Sequence, residues 1–334
     1  MRIALIYSGR MPMPGNPPAG GLGAVENILW NYKKELARLG HTVDIYNSPW
    51  IQDTIYALNT TEYDFIHCHY ELFVLELNKH LKKPYCLTSH SGALSKFQPG
   101  RYEYYSGFNY SWLDCLEAPG TIALSEHIKK LYLHSRYKKF LRVLPNPVET
   151  DKFHFAKRGN GRAICLGRIQ TRKRQAAIAK LLRGKARVDF VGHNDETHGF
   201  ERSPFVENET CKYLGSWERE EVYKKLTNYS CLVHLPISEV AAPLVVLEAL
   251  AAGVSVVTNQ ASSANLTDEE FITVLPDSAF QAAVVSDAVE KAIAKNAALR
   301  PQIRQYALQR FDYSVLVPEY LRVIDEFRSY AKSS

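Results

Sequence analysis

Short apolar runs alternate with stretches of helical spacing along most of this chain. RIALIYS opens it as a strand pattern, and a Pro/Gly-rich loop follows from Met11 to Gly23. Val25, Ile28, Leu29, Leu36 and Leu39 then recur at helical spacing from Ala24 until Gly40. HTVDIYN, DFIHCH, PYCLTSH and TIALS read as further strands, separated by helical or irregular stretches. Near Leu141 the text becomes RVLPNPVETDKF, whose two prolines and polar caps suit a hinge. A second alternation begins at Ala163, with AICLG, a basic helix to Leu182, RVDFVG, CKYLGS and a helix from Glu218 to Thr227. CLVHLPISEVAAPLVVLEALAAGVSVVTN, from Cys231 to Asn259, is the most informative stretch. It reads as a strand, a loop holding Glu239, a helix that opens near Pro243 and carries Glu248, and a second strand.

The pattern predicts an α/β chain with two sequential parallel sheets and a cleft between them. The expected domains are 1–148 and 149–312, with a terminal helix in 313–334 crossing back to the first. A length of 334 residues suits two domains, and 46% hydrophobic with 23% charged residues is globular rather than disordered. No apolar run approaches the roughly eighteen residues of a membrane span, and the N-terminus reads as a strand rather than a signal peptide. Cys68, Cys86, Cys115, Cys165, Cys211 and Cys231 are widely spaced without a C-x-x-C pair, which predicts buried thiols in a cytoplasmic protein. A net charge of +6 suits phosphate-bearing small molecules and does not argue for nucleic acid.

Four groups of residues carry candidate chemistry. The glycine-rich loop Gly20-Gly21-Leu22-Gly23 lets backbone approach an anion at a helix start, and is otherwise a structural loop. As a dinucleotide fingerprint, with Asp44 on a ribose, it is defective, because Glu26 stands where a third small residue is needed. Gly167-Arg168, with Lys173 beyond it, points two cations past the edge of a sheet, where a diphosphate leaving group would be neutralised. The plain alternative is a solvated basic face including Arg172, Arg174 and Lys180. His67 and His69 share one strand face and His90 follows another strand. They read as hydrogen-bond donors to a ligand or as structural residues, since further ligands for a metal are missing. Glu239 and Glu248 suggest a site that grips hydroxyl groups, and Glu248, inside an apolar helix, must be paired or ligand-bound.

In order and spacing, these pieces resemble the retaining glycosyltransferases of family 4, glycosyl transferase group 1, over nearly the whole chain. The matching segments are the Gly-Gly loop, ELARLGHTVDIY, YDFIHCH, TSHSG, IALSEHIKK, VLPNPVETDKF, GRIQTRK, YLGS and SEVAAPLVVLEALAAGVSVV. The resemblance implies a GT-B fold, two Rossmann-like domains whose parallel sheets face a central cleft. It implies a hexosyltransferase that moves a sugar from a nucleotide-diphosphate sugar, a UDP-sugar being favoured, to a saccharide or glycolipid hydroxyl. Attack would come on the same face, with retention, and without metal or other cofactor. Arg168 and Lys173 would meet the diphosphate, Glu248 the ribose, and Glu239 the donor sugar. Gly20 and Gly21 would approach the phosphates, Leu244 and Val245 would join the donor site, and His90 would lie near the reacting end of the sugar. His67, His69 and Asn146 are the acceptor-side candidates. The chain departs from the family pattern in three places. Glu239 and Glu248 stand one residue further apart, Ala242-Pro243 replaces an aromatic-Gly pair, and Arg174 replaces a glycine and would crowd the phosphate pocket or add charge there.

Acceptor and location are weakly encoded. The aromatic run from Arg101 to Trp112 suits sugar stacking or a membrane interface. KKLYLHSRYKKFLR, from Lys129 to Arg142, suits a basic amphipathic surface on anionic lipid, hence peripheral contact with the inner membrane face. The alternative function is a non-catalytic nucleotide-sugar or glycan-binding protein of the same fold.

Overall fold

The computed structural model describes residues 1–14, 23–91, 106–194 and 207–333, and for 106–111 the backbone alone. Gly20, Gly21 and most of the aromatic run lie outside the described residues. The chain forms two compact units, one of Met1–Asn146 with Tyr313–Ser334 and one of Pro147–Asp312.

In the first unit, six parallel strands stand among the described residues in the order β2-β1-β3-β4-β5-β6. They are β1 (Arg2–Tyr7), β2 (Thr42–Asn47), β3 (Phe65–Cys68), β4 (Cys86–Leu87), β5 (Gly120–Ala123) and β6 (Phe140–Val143). The sheet in the second unit runs β12-β11-β10-β7-β8-β9, again parallel. Its strands are β7 (Ala163–Leu166), β8 (Val188–Val191), β9 (Cys211–Tyr213), β10 (Cys231–His234), β11 (Ser255–Asn259) and β12 (Ile272–Leu275). Inner strands such as β3, β7 and β10 are buried at every residue, whereas the edge strands β2, β6, β9 and β12 are partly uncovered. Helices cover both faces of a parallel sheet, so its inner strands lack polar alternation and read as unbroken apolar text.

Helix α1 (Ala24–Arg38) follows the glycine loop, and its buried stripe of Val25, Ile28, Leu29, Tyr32 and Leu36 has helical spacing. Two short helices, α2 (Ile51–Thr60) and α3 (Val74–His80), then α4 (Ser106–Glu117) and α5 (Glu126–His134), complete the first alternation. The basic run from Lys129 does not form one amphipathic surface. It passes from α5 into a turn with Arg136 at φ 60°, and then into β6. The terminal helix α10 (Tyr313–Ser333) packs on the first unit through Tyr313, Leu316, Tyr320, Ile324 and Phe327. Phe327 explains a glycine in an inner strand, since a Cβ on Gly120 would come within 2.6 Å of its ring.

The second unit contains α6 (Gln175–Leu181), α7 (Arg219–Lys225), α8 (Leu244–Ala251) and α9 (Ala282–Phe311). Helix α8 is buried from Val245 to Ala251, so it belongs to the core rather than to an amphipathic surface. Helix α9 packs its first half (Val285, Val289) in one core cluster and its second (Ile303, Ala307, Phe311) in the other, with Pro301 at the changeover. All six cysteines are buried free thiols. Among the described residues, no helix is long and apolar enough to cross a membrane.

Candidate active site

Each sheet reverses its strand order once, and ligands of such sheets gather where the loops diverge beyond the carboxyl ends. In the second unit that point lies between β7 and β10. The loop after β7 carries Arg168, Arg172 and Lys173, and the loop after β10 carries Glu239. Gly167, at φ +118°, turns the chain out of β7, and a Cβ there would stand 3.0 Å from the Lys173 Nζ. Beside it, Gly192 (φ +146°) packs so close that a Cβ would overlap the carbonyl of Gly167. The ends of β7 and β8 are therefore bare backbone, with the ammonium of Lys173 beside the end of β7.

Arg172 ties the two loops together. Its carbonyl accepts from the Ile237 N–H (2.8 Å), while its Nη1 donates to the Ser238 carbonyl (2.6 Å) and to Glu239 Oε1 (2.9 Å). His234, at the end of β10, adds its Nε2 at 3.7 Å from the same oxygen. Burial by itself would raise the Glu239 carboxyl, but the neighbouring His234, Arg172 and Lys173 outweigh it and hold it at about 2. Glu239 is thus an anion at neutral pH. Burial lowers the Lys173 ammonium below its ordinary value, opposed by Glu239 and reinforced by Arg172 and Arg168. Arg172 is more than a solvated cation: its side chain keeps 41% of its exposure but is hydrogen-bonded into the site. Arg174 does not add charge at Lys173. It takes φ +59° and lays its guanidinium 4.9 Å from the centroid of the Phe280 ring.

Pro243 stands at the N-cap of α8 with no side chain capping the helix, and Leu244 and Val245 begin it. Their N–H groups face no earlier turn of helix, an arrangement that suits an anion. One helical turn on, Glu248 is 6% exposed, and its Oε1 accepts a hydrogen bond from Arg219 Nη1 on α7. The guanidinium of Arg219 also lies over the Tyr223 ring (4.4 Å), whose hydroxyl donates to Glu149 Oε2 (2.6 Å). Glu248 Oε2 has no hydrogen-bond partner among the described residues. Arg219 was not legible as the partner of Glu248, because a basic residue at the start of a charged helix looks like surface.

In the first unit the order reverses between β1 and β3. His67 was an acceptor-side candidate, and that reading is corrected. Its ring is 3% exposed, with Nδ1 bonded to the Tyr320 hydroxyl and Nε2 to Thr88 Oγ1, both at 2.8 Å. With both nitrogens engaged, His67 joins α10 to the sheet. His69 is equally buried, and its Nδ1 meets His90 Nε2 at 3.1 Å. His90 itself is half-buried. Asn146 is the last residue of the first segment of its unit, half-buried, with no side-chain hydrogen bond among the described residues. Asp44 pairs instead with Arg2 (2.9 Å) and the Tyr63 hydroxyl (2.8 Å), both on Oδ2. Among the described residues no group of three or more His, Cys, Asp or Glu is placed to hold a metal ion.

Two family models match consecutive parts of the chain, Glycosyltransferase Family 4 over residues 47–152 and Glycosyl transferases group 1 over residues 148–310. The chain belongs to the group 1, family 4 glycosyltransferases. No curated protein matches it by sequence. Among solved structures, this glycosyltransferase is similar to a sucrose-phosphate synthase from Thermosynechococcus elongatus. That match has a TM-score of 0.79 and 16% identity, covering 98% of this chain and 99% of that one. It is also similar to Anabaena HepE in complex with UDP and glucose (TM-score 0.71, 14% identity, 98% and 100% covered). A third is AviGT4, a glycosyltransferase involved in avilamycin A biosynthesis (TM-score 0.67, 16% identity, 98% of each chain). At such identities the likeness concerns the fold, which is GT-B, with two parallel-sheet α/β units.

Proposed function

We propose that this glycosyltransferase is a retaining hexosyltransferase that takes its sugar from a nucleotide-diphosphate donor held by the second unit. The observation that carries the reading is the convergence of Lys173, Arg172 and Glu239 at the β7–β10 switch point, on the unit that also carries the uncapped start of α8 and one unengaged oxygen of Glu248. Cations and helix N–H groups suit a diphosphate, and a carboxylate with one unengaged oxygen suits the paired hydroxyls of a ribose. In this reading Arg168 and Lys173 neutralise the leaving diphosphate as the glycosidic C–O bond breaks. Leu244 and Val245 offer backbone N–H groups to the same phosphates.

Glu239, kept anionic, hydrogen-bonds hydroxyls of the transferred sugar. The acceptor hydroxyl attacks on the face the diphosphate leaves, and the departing phosphate oxygen takes its proton. The sugar moves with its anomeric configuration retained, and the positive side chains do the work a metal would otherwise do. A UDP-sugar is favoured because HepE, which shares the fold, has been solved with UDP-glucose. The acceptor, a saccharide or glycolipid, belongs to the first unit in this reading.

Thermal unfolding with UDP-, GDP- and ADP-sugars, in EDTA, tests the proposal. A donor at a hundred times its Kd adds about 2.7 kcal/mol of stability. Stabilisation by one nucleotide series, lost in Glu248→Ala, is the expected result, and donor hydrolysis or transfer should accompany it. Binding without turnover under any acceptor would instead identify a non-catalytic sugar-nucleotide-binding protein. No binding by any series would end both readings.

A further inference from the structure

Hydrogen-bond direction can be followed through the histidines at the carboxyl end of the first sheet. The Thr88 hydroxyl donates to the Ile122 carbonyl (2.8 Å), so it can only accept from His67 Nε2, which therefore carries a proton. Burial pushes His67 down to about 3, so the ring is neutral, and its Nδ1 accepts from the Tyr320 hydroxyl. This chain is complete, with no proton to spare for His69. The His69 ring lies 3.9 Å from that of His67, centroid to centroid and tilted against it, and burial also keeps His69 and His90 neutral. A single proton must then lie between His69 Nδ1 and His90 Nε2.

The other nitrogen of His69 decides who owns that proton. His69 Nε2 is buried and has no hydrogen-bond partner among the described residues. If His90 were the donor, neutral His69 would carry its own proton on Nε2, an N–H buried without an acceptor. If His69 donates, Nε2 is a bare lone pair instead. Orphaned buried N–H groups are rarer than under-satisfied acceptors, and stranding a donor forfeits its full hydration. We infer that His69 is a positioning residue, donating through Nδ1 to His90 Nε2 and so fixing His90 as its Nδ1–H tautomer.

Free neutral histidine favours the opposite tautomer, so His69 imposes the less common one. His90 Nδ1 has no hydrogen-bond partner among the described residues, and the residue is half-buried rather than buried. The atom His90 offers a ligand is then an N–H, matched to an oxygen lone pair of a sugar hydroxyl or a phosphate. It cannot serve as a base there. Only the identity of that ligand rests on the proposed function; the tautomer does not.

Two-bond proton–nitrogen correlation spectra of the ¹⁵N-histidine protein at neutral pH read the tautomer directly. His90→Gln identifies the His90 signals by their loss. The expected wild-type pattern has His90 Nδ1 protonated and Nε2 bare. A His90 protonated on Nε2 overturns the inference without any variant at His69. His69→Asn, whose amide N–H can still donate, should keep the pattern, whereas His69→Leu should return His90 to its solution preference. An unchanged His90 pattern in His69→Leu also overturns it. With a working donor and acceptor, His69→Leu should lose tenfold or more in kcat while donor Kd stays within twofold, and His69→Asn should recover most of the loss. If no sugar nucleotide binds the wild type, the proposed function fails while the spectra still decide the tautomer.

Discussion

Glu26 shows how much a single residue can carry that its neighbours in sequence do not reveal. It lies in the first turn of α1, and its carboxylate curls back until it fills the space a Cβ on Gly23 would take. Burial raises it to about 7, against backbone N–H groups of Glu26 and Met11 that lower it. The folded chain therefore holds a proton that the unfolded chain releases between its ordinary 4.5 and about 7. Stability should fall as pH rises through that window and level off above it, by about 3 kcal/mol in total. Glu26→Gln should flatten the slope, as urea midpoints at pH 5 and pH 8 would read; an unchanged slope rejects the assignment. Glu239 is the opposite case, anionic because cations surround it. Arg172→Met removes a charge-assisted hydrogen bond and should weaken sugar-nucleotide binding about tenfold, or roughly 1.4 kcal/mol. Calorimetric titration checks it, and an unaltered Kd would mean that Glu239 orients without Arg172.

Between elements, the pairings that matter most bury charged side chains that join separate segments of the second unit. Arg219 on α7 and Glu248 on α8 are 26% and 7% exposed at their side chains, so neither can lose its partner cheaply. A double-mutant cycle of Arg219→Met with Glu248→Gln should give a coupling of about 1–3 kcal/mol in unfolding free energy. Coupling within 0.3 kcal/mol of zero would show the pair to be a passive surface contact. Arg300, in the middle of α9, is fully buried and donates to the carbonyls of Ala156, Tyr229 and Ala252, with Asn296 Oδ1 and Thr227 Oγ1 also in reach. It substitutes for a backbone partner at several chain ends at once. Arg300→Met should destabilise the second unit by about 3–5 kcal/mol in denaturant, with all those acceptors left dry.

At the scale of the whole chain, α10 makes the two units unequal in sequence continuity. The second unit is one segment, but the first is closed by residues from the far end. Tyr320 rests 4.7 Å from Tyr32, and Phe327 packs on Phe65 and Phe140. A chain ending at Asp312 would uncover this aromatic face. Limited proteolysis of that shortened chain should degrade residues 1–146 and leave a resistant fragment from 147 to 312. Equal resistance of both parts would mean that α10 is dispensable.

The sequence by itself determined the alternation of elements, both parallel sheets and the family, because each of these is written in local periodicity and in motifs of contiguous residues. The helix from Ala24, the strands DFIHCH and AICLG, and the βαβ unit at Cys231 needed no distant partner to be read. Helix α9 was not legible, since its buried side changes from one core to the other near Pro301 and no single stripe marks it. Tertiary structure alone decided the pairings. Arg172 paired with Glu239, Arg219 met Glu248, and His67 turned from ligand candidate to a link in a chain from α10 to β5. Residues up to 253 positions apart share these hydrogen bonds, so no window of sequence contains both partners. A charged side chain shows its chemistry in the sequence, but whether it faces water, a ligand or another charge depends on what the fold brings beside it.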